Sequence, residues 1–417
     1  MSVAWGAYRV LAPCLGALAP AAAIFASRAE RELWSERMGK VASPGGSDAW
    51  LHAASLGEAG AAGSLARELL ALAPRARLWL TAQTRTGRAR LQELELPVSL
   101  APIDAPQAVG RFFAGVAPRL VVVVETELWP HWLLRARRAS VPVVIASARL
   151  AERSVRRYQA LGSALRALVA GLAGVLCQSG EDARRWRALG SPPGRTEVVG
   201  NLKNDALPLP APSLEAARAA LGLEPDRPLL VLGSVRPGEV ARLARALDTL
   251  PAALRARWQV AAVPRHARAS AELEAEARAA GQRVARAGGE SDGAWRWDDR
   301  PGVLNAYYAA ADVAFVGGSL VPYGGHNPLE PAATGAAVVT GAHHESQAEA
   351  VQALAARRAV RVASSEAELA RALAVLLGDD AERERQARAG RAVAEELRGA
   401  ARRAVQRLAA WKLWPPA

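Results

Sequence analysis

Lysine is nearly absent from this chain. Of 53 basic residues in 417, only Lys40, Lys203 and Lys412 are lysine, and the other 50 are arginine. Such a bias fits skewed codon usage, so a single arginine-rich helix carries little meaning, whereas Lys203 stands out. Cysteine is also scarce. Cys14 and Cys177 sit in apolar surroundings without metal-ligand spacing, which excludes a disulfide framework or a zinc site and fits a reducing compartment. The six histidines are scattered and no carboxylate pair has a divalent-cation loop around it, so no metal is expected. No G-x-G-x-x-G follows the first strand, no G-x-x-x-x-G-K-[ST] occurs, and no serine nucleophile elbow is present. There is no internal repeat and no long low-complexity run.

What is there reads as a folded protein: 51% hydrophobic and 22% charged residues, over a length that allows two domains. The net charge of +13 favours anionic partners: phosphates, acidic lipid surfaces or nucleic acid. From Ser2 to Ser27 the only charge is Arg9, and 28-RAERELWSERMGK-40 then turns polar and basic. About 20 apolar residues can span a bilayer. The positive charges follow the apolar run, which argues against a cleaved signal peptide and for a segment whose basic flank stays cytoplasmic. Residues 1–28 are therefore expected to be an N-terminal membrane-anchor helix.

Beyond it, apolar strands alternate with helices. The strand candidates are 49–54, 77–82, 120–125, 141–147 and 173–179, then 228–234, 259–265, 283–288, 311–318 and 336–341. Between the two groups, 205-DALPLPAPSL-214 has three prolines and reads as a linker. The expectation is an α/β protein of two Rossmann-like domains, 29–206 and 207–417, each with a parallel sheet covered on both faces. Ligands should bind at the carboxyl ends of the strands, in a cleft between the halves.

The polar clusters fall where that fold puts a site. In 51-LHAASLGEAGAAG-63, Glu58 lies on a strand-to-helix turn, where it either faces ligand or complements a helix dipole. In 124-VETELWPHW-132, Glu125 and Glu127 share a loop and either face ligand or pair with Arg149 or Arg153. Lys203, in 199-VGNLKND-205, offers a compact charge in a chain that otherwise uses arginine. The segments 233-GSVRPGE-239 and 263-VPRH-266 follow strands in the second half. The stretch 316-VGGSLVPYGGHNPLEPAATGAAVVTG-341 reads as strand, glycine loop and helix start, the geometry of a phosphate or nucleotide site.

Taken in order, HAASLGE, ETELWP, ARLAERS, GNLKND, GSVRPGE, VPRH and AAADVAFVGGSLVPYGGHNPLEP resemble the 3-deoxy-D-manno-octulosonic acid (Kdo) transferases over essentially the whole chain. The segment 31-RELWSERMG-39 is similar to that family's juxtamembrane stretch. The resemblance implies the B-type glycosyltransferase (GT-B) fold, CMP-Kdo as donor, and as acceptor the phosphorylated, acylated glucosamine disaccharide precursor of lipid A. It places the reaction in lipopolysaccharide core biosynthesis, at the cytoplasmic face of the inner membrane, with no cofactor, no metal and no nucleic-acid partner.

By the same resemblance the general base falls on Glu58, and the stabilising acid and lysine fall on Glu125 and Lys203. CMP contacts fall on Pro264 and Arg265, on Gly302, Val303 and Leu304, and on Asn327, Pro328, Leu329 and Glu330. The chain departs from the family on the donor side. Val303 replaces an acid, Arg236 a histidine, and Ser346 and Gln347 an Asn-Phe pair. The implied chemistry is an inverting transfer in which Glu58 takes the acceptor's proton. The alternatives are a related GT-B enzyme using a different nucleotide sugar, a sugar-nucleotide epimerase, and a basic protein that binds membrane or nucleic acid without catalysis.

Overall fold

The structure, a computed structural model, describes residues 28–41, 45–160, 162–289 and 293–415. The described strands form two seven-stranded sheets. The first holds β1 (Ala49–Ala53), β2 (Leu78–Ala82), β3 (Val98–Leu100), β4 (Val121–Val124), β5 (Val143–Ala148), β6 (Gly174–Cys177) and β7 (Thr196–Val198) in the order β3-β2-β1-β4-β5-β6-β7. The second holds β8 (Leu229–Val235), β9 (Gln259–Pro264), β10 (Val284–Arg286), β11 (Trp295–Trp297), β12 (Val313–Val316), β13 (Ala337–Gly341) and β14 (Val360–Ala363) in the order β10-β11-β9-β8-β12-β13-β14. Every ladder in both sheets is parallel.

Strand periodicity explains why the valine run makes a central strand. Val122 and Val124 pack into the core on one face of the first sheet, and Val121 and Val123 into the core on the other. A strand buried on both faces needs apolar residues at every position, which is what a parallel sheet under two helix layers demands. The second sheet repeats the pattern, with Leu230 and Leu232 on one face and Leu229 and Val231 on the other. Each sheet has a switch point, between β1 and β4 in the first and between β8 and β12 in the second. At such a switch point the flanking loops diverge and leave a crevice beyond the strand ends.

One unit comprises the chain up to Ala206 together with Leu397–Ala417, and the other Leu207–Glu396. This corrects the expected extent of the second domain, 207–417, because the last helix, Ala400–Ala410, packs with the first unit. Its Ala401, Ala404, Val405 and Leu408 join the core around Leu65 and Leu69. Trp414 Nε1 donates to the carbonyl of Leu69 at 3.1 Å, and Asp205 accepts the N–H groups of Gly399, Ala400 and Ala401. Among the described residues no helix is long and apolar enough to cross a membrane. The anchor expected over 1–28 lies, apart from Arg28, outside the described residues.

Candidate active site

In the first unit the switch point gathers four of the singled-out residues, Glu58, Glu125, Glu127 and Lys203. Ser55 caps the helix Leu56–Leu72, and Glu58 folds back on it. The carboxylate accepts the N–H of Ala54 at 2.7 Å and the Ser55 hydroxyl at 2.9 Å, while Ser55 Oγ accepts the Glu58 N–H at 3.4 Å. This is a variant of the S-x-x-E capping box in which the glutamate reaches the N–H one residue before the cap, so the dipole-complementing role is real. It does not use up the carboxylate, since each oxygen keeps a lone pair. Burial pushes the Glu58 carboxyl above the usual glutamate range, Glu125 adds to the rise, and Lys203 opposes it.

Glu125, immediately after β4, is held at φ 63° and takes Lys203 as its ion-pair partner, where the sequence left Arg149 or Arg153 open. The lysine lies along the helix start: a Cβ on Gly57 would meet Lys203 Cε at 3.8 Å. Glu127 is the third carboxyl here, raised by burial and by Glu58. Three acids meet beside one ion pair, an arrangement suited to holding a proton and countering developing negative charge.

The second unit builds a different environment at the switch between β8 and β12. The buried Glu239 carboxylate accepts the N–H groups of Arg236, Gly318, Ser319 and Leu320 at 2.7–2.9 Å, which fixes the glycine loop against the end of β8. Gly317 must be glycine, because a Cβ there would lie 2.5 Å from the Ser234 carbonyl oxygen, and Gly318 sits at φ +71°. Ser346 continues the packing, its N–H donating to the Gly324 carbonyl at 2.9 Å.

Next to this loop, Pro264, Arg265, Gly302 and Leu304 line a cavity of about 530 Å³ together with Arg268 and Arg300. That volume suits a nucleotide-sized ligand. Val303 does not line it; it precedes the helix Leu304–Ala310 and packs against the core beside Tyr307 and Tyr308. Asn327 accepts the Leu329 N–H at 3.0 Å. Burial raises the Glu330 carboxyl and the Arg265 charge opposes the rise. Pro328 and Leu329 are buried. A smaller cavity of about 310 Å³ lies at the amino-terminal strand ends, beside Trp258 and Trp295, away from these groups.

The lining is strongly cationic. Burial together with Arg265 and Arg236 holds the His326 imidazole down at about 4, and burial with Arg236, Arg265 and Arg268 lowers His266. Arg236 stacks on Tyr323, its guanidinium carbon 4.1 Å from the ring centroid. Asp298, missed in the sequence, is buried and grips Arg300 at 2.6 and 2.9 Å with Tyr307 on the same carboxylate at 3.0 Å. The fork presents a fixed arginine to the cavity. Only the pattern D-x-R pointed to it. Glu239 closes the singled-out GSVRPGE segment, but its role as acceptor gave no local signal, since three of its partners lie some 80 residues on.

Two parallel-sheet α/β units with polar groups at the switch points define the class by fold, one shared with sugar-nucleotide epimerases and glycosyltransferases of solved structure. The fold matches a putative UDP-N-acetylglucosamine 2-epimerase from Listeria monocytogenes at a TM-score of 0.62 and 14% identity, over 88% of this chain and 97% of that one. It matches a glycosyltransferase from Rickettsia africae at 0.60 and 11%, over 89% and 100%. Sequence narrows the class. The family model described as 3-deoxy-D-manno-octulosonic-acid transferase (kdotransferase) matches residues 32–206. The 3-deoxy-D-manno-octulosonic acid transferase of Bordetella pertussis is 36% identical over 388 residues, covering 89% of each chain. That of Haemophilus influenzae is 32% identical, covering 88% of this chain and 87% of its own. The chain belongs to the 3-deoxy-D-manno-octulosonic acid transferase family and is a glycosyltransferase.

Proposed function

We propose that the chain moves Kdo from CMP-Kdo onto the phosphorylated, acylated glucosamine disaccharide precursor of lipid A, in one inverting displacement. The observation that carries this reading is the cluster of Glu58, Glu125 and Lys203 at the switch point of the first sheet. Glu58 takes the proton of the acceptor hydroxyl as that oxygen attacks the anomeric carbon. A carboxyl raised by burial is a stronger base than an exposed one, and general-base help is typically worth about 10²–10⁴-fold. Lys203, steadied by Glu125, offsets negative charge as the cytidylate departs.

The second unit holds the donor in this reading. Its cavity supplies Arg265, Arg268 and Arg300 for the phosphate and the sugar carboxylate. The loop from Asn327 to Glu330 supplies acceptors for ribose hydroxyls, and none of these steps calls for a metal. The apolar N-terminal segment and the basic 28–40 stretch would keep the enzyme on the cytoplasmic face of the inner membrane, where the acylated acceptor resides. Donor competition tests the assignment: CMP inhibits turnover and UDP does not. Inhibition by UDP alone would move the donor to another nucleotide sugar.

A further inference from the structure

Two residues beside the ion pair of the first unit carry a positive φ, Glu125 at 63° and Ser147 at 54°. Ser147 sits where the ladder between β5 and β6 slips, between Ala146 and Ala148, and its side chain is fully buried. The slip swaps the faces: Ala146 joins one core and Ala148 the other. A non-glycine residue in the left-handed region persists only where its surroundings hold it.

What holds it is a saturated hydroxyl. Ser147 Oγ accepts the Leu202 N–H at 3.1 Å and Gln178 Nε2–H at 3.2 Å, and donates to Asn201 Oδ1 at 3.4 Å. A hydroxyl has one proton to give and two lone pairs to receive, so the set is complete. Asn201 Oδ1 in turn accepts the Lys203 N–H at 2.9 Å. One residue earlier, the Ala146 carbonyl accepts the Glu125 N–H at 2.8 Å. Two adjacent residues of β5 therefore hold the backbones of both partners: Glu125 directly, and the Asn201–Lys203 turn through one hydroxyl.

We propose that Ser147 is a positioning residue that registers the Lys203 ammonium against the Glu125 carboxylate, by fixing the turn at Asn201–Lys203 to the bulge in β5. Its bearing on turnover rests on the role given to Lys203 above. Its bearing on geometry does not.

The scarcity of lysine supplies a direct readout. Peptide-resolved acylation of the purified full chain follows Lys203, with the exposed Lys40 and Lys412 as internal references. An amine held in an ion pair is shielded from acylation, and a released one is not. Ser147→Gly removes the hydroxyl while tolerating the positive φ. It is expected to speed Lys203 labelling about three-fold or more, with Lys40 and Lys412 unchanged. Asn201→Ala cuts the same link one residue further on and carries the test if the glycine variant does not fold. Unchanged Lys203 labelling in a folded variant overturns the proposal. In the kinetic arm, Ser147→Gly should lower kcat about ten-fold with the donor KM within two-fold, and should lose that effect in a Lys203→Ala background. A labelling change without a kcat change leaves the positioning intact and removes Lys203 from the chemistry. A kcat loss that persists in the Lys203→Ala background shows Ser147 acting by some other route and overturns the proposal.

Discussion

Glu239 accepts the N–H of Gly318 at 2.7 Å, joining the loop after β8 to the glycine loop after β12 through one fully buried carboxylate. The same carboxylate also takes Ser319, Leu320 and Arg236. Replacing it with alanine strands four backbone donors, each costing roughly 1–3 kcal/mol when left unsatisfied. Glu239→Ala is expected to lower the melting temperature and to weaken CMP binding at least ten-fold, with Glu239→Gln in between. Calorimetry and thermal unfolding check this. CMP binding at full strength in Glu239→Ala would separate the glycine loop from the donor site.

Glu58 has two roles that one substitution can separate. Glutamine keeps the capping box, because S-x-x-Q caps as S-x-x-E does, but it cannot accept a proton. Glu58→Gln should therefore unfold like the parent and bind CMP within two-fold of it, with turnover at least about 10²-fold lower. Retained turnover in the purified variant refutes the base assignment.

The pH profile follows from the neighbours of Glu58. A base works deprotonated, so kcat/KM should rise with pH through the Glu58 value, which burial and Glu125 lift above the usual glutamate range and Lys203 pulls down. The acid limb should lie above that range in the parent. In residual activity it should move further up in Lys203→Met and down in Glu125→Gln. A limb that stays in place in both variants assigns it to another group.

Asp205 anchors the last helix to the first unit by accepting from Ala400 at 3.1 Å and Ala401 at 2.6 Å. Asp205→Ala removes the cap and should cost about 1–2 kcal/mol in urea unfolding. Asp205→Asn, which keeps an accepting oxygen, should cost less.

The strands were legible where both faces are apolar, as in the four valines of β4, and illegible where they are short or interrupted. β3 and β7 are three-residue edge strands. β11 hides Arg296 between two tryptophans, its guanidinium donating to the carbonyls of Gly222, Arg286 and Gly289. That pattern breaks the apolar run on which a strand reading relies. The return of the last helix was invisible, because an alanine- and arginine-rich amphipathic segment says only that one face is buried, not against what. Of the candidate residues that the structure brings together, Glu58 and Glu125 stood out because each follows an apolar strand, and Lys203 because lysine is scarce. The residues that hold their loops did not: Ser147 meets Leu202 and Glu239 meets Gly318 through hydrogen bonds between residues far apart in sequence, which no local pattern encodes.

The central claim, that an acid of the first unit and a cationic pocket of the second together move Kdo from cytidylate to a lipid, is tested most directly by mass spectrometry of the products. The full chain is incubated with CMP-Kdo and the acylated, phosphorylated glucosamine disaccharide. The account predicts a lipid heavier by one or more Kdo residues with the parent, and none with Glu58→Gln. An unmodified disaccharide with the parent, or the same product from Glu58→Gln, would contradict it.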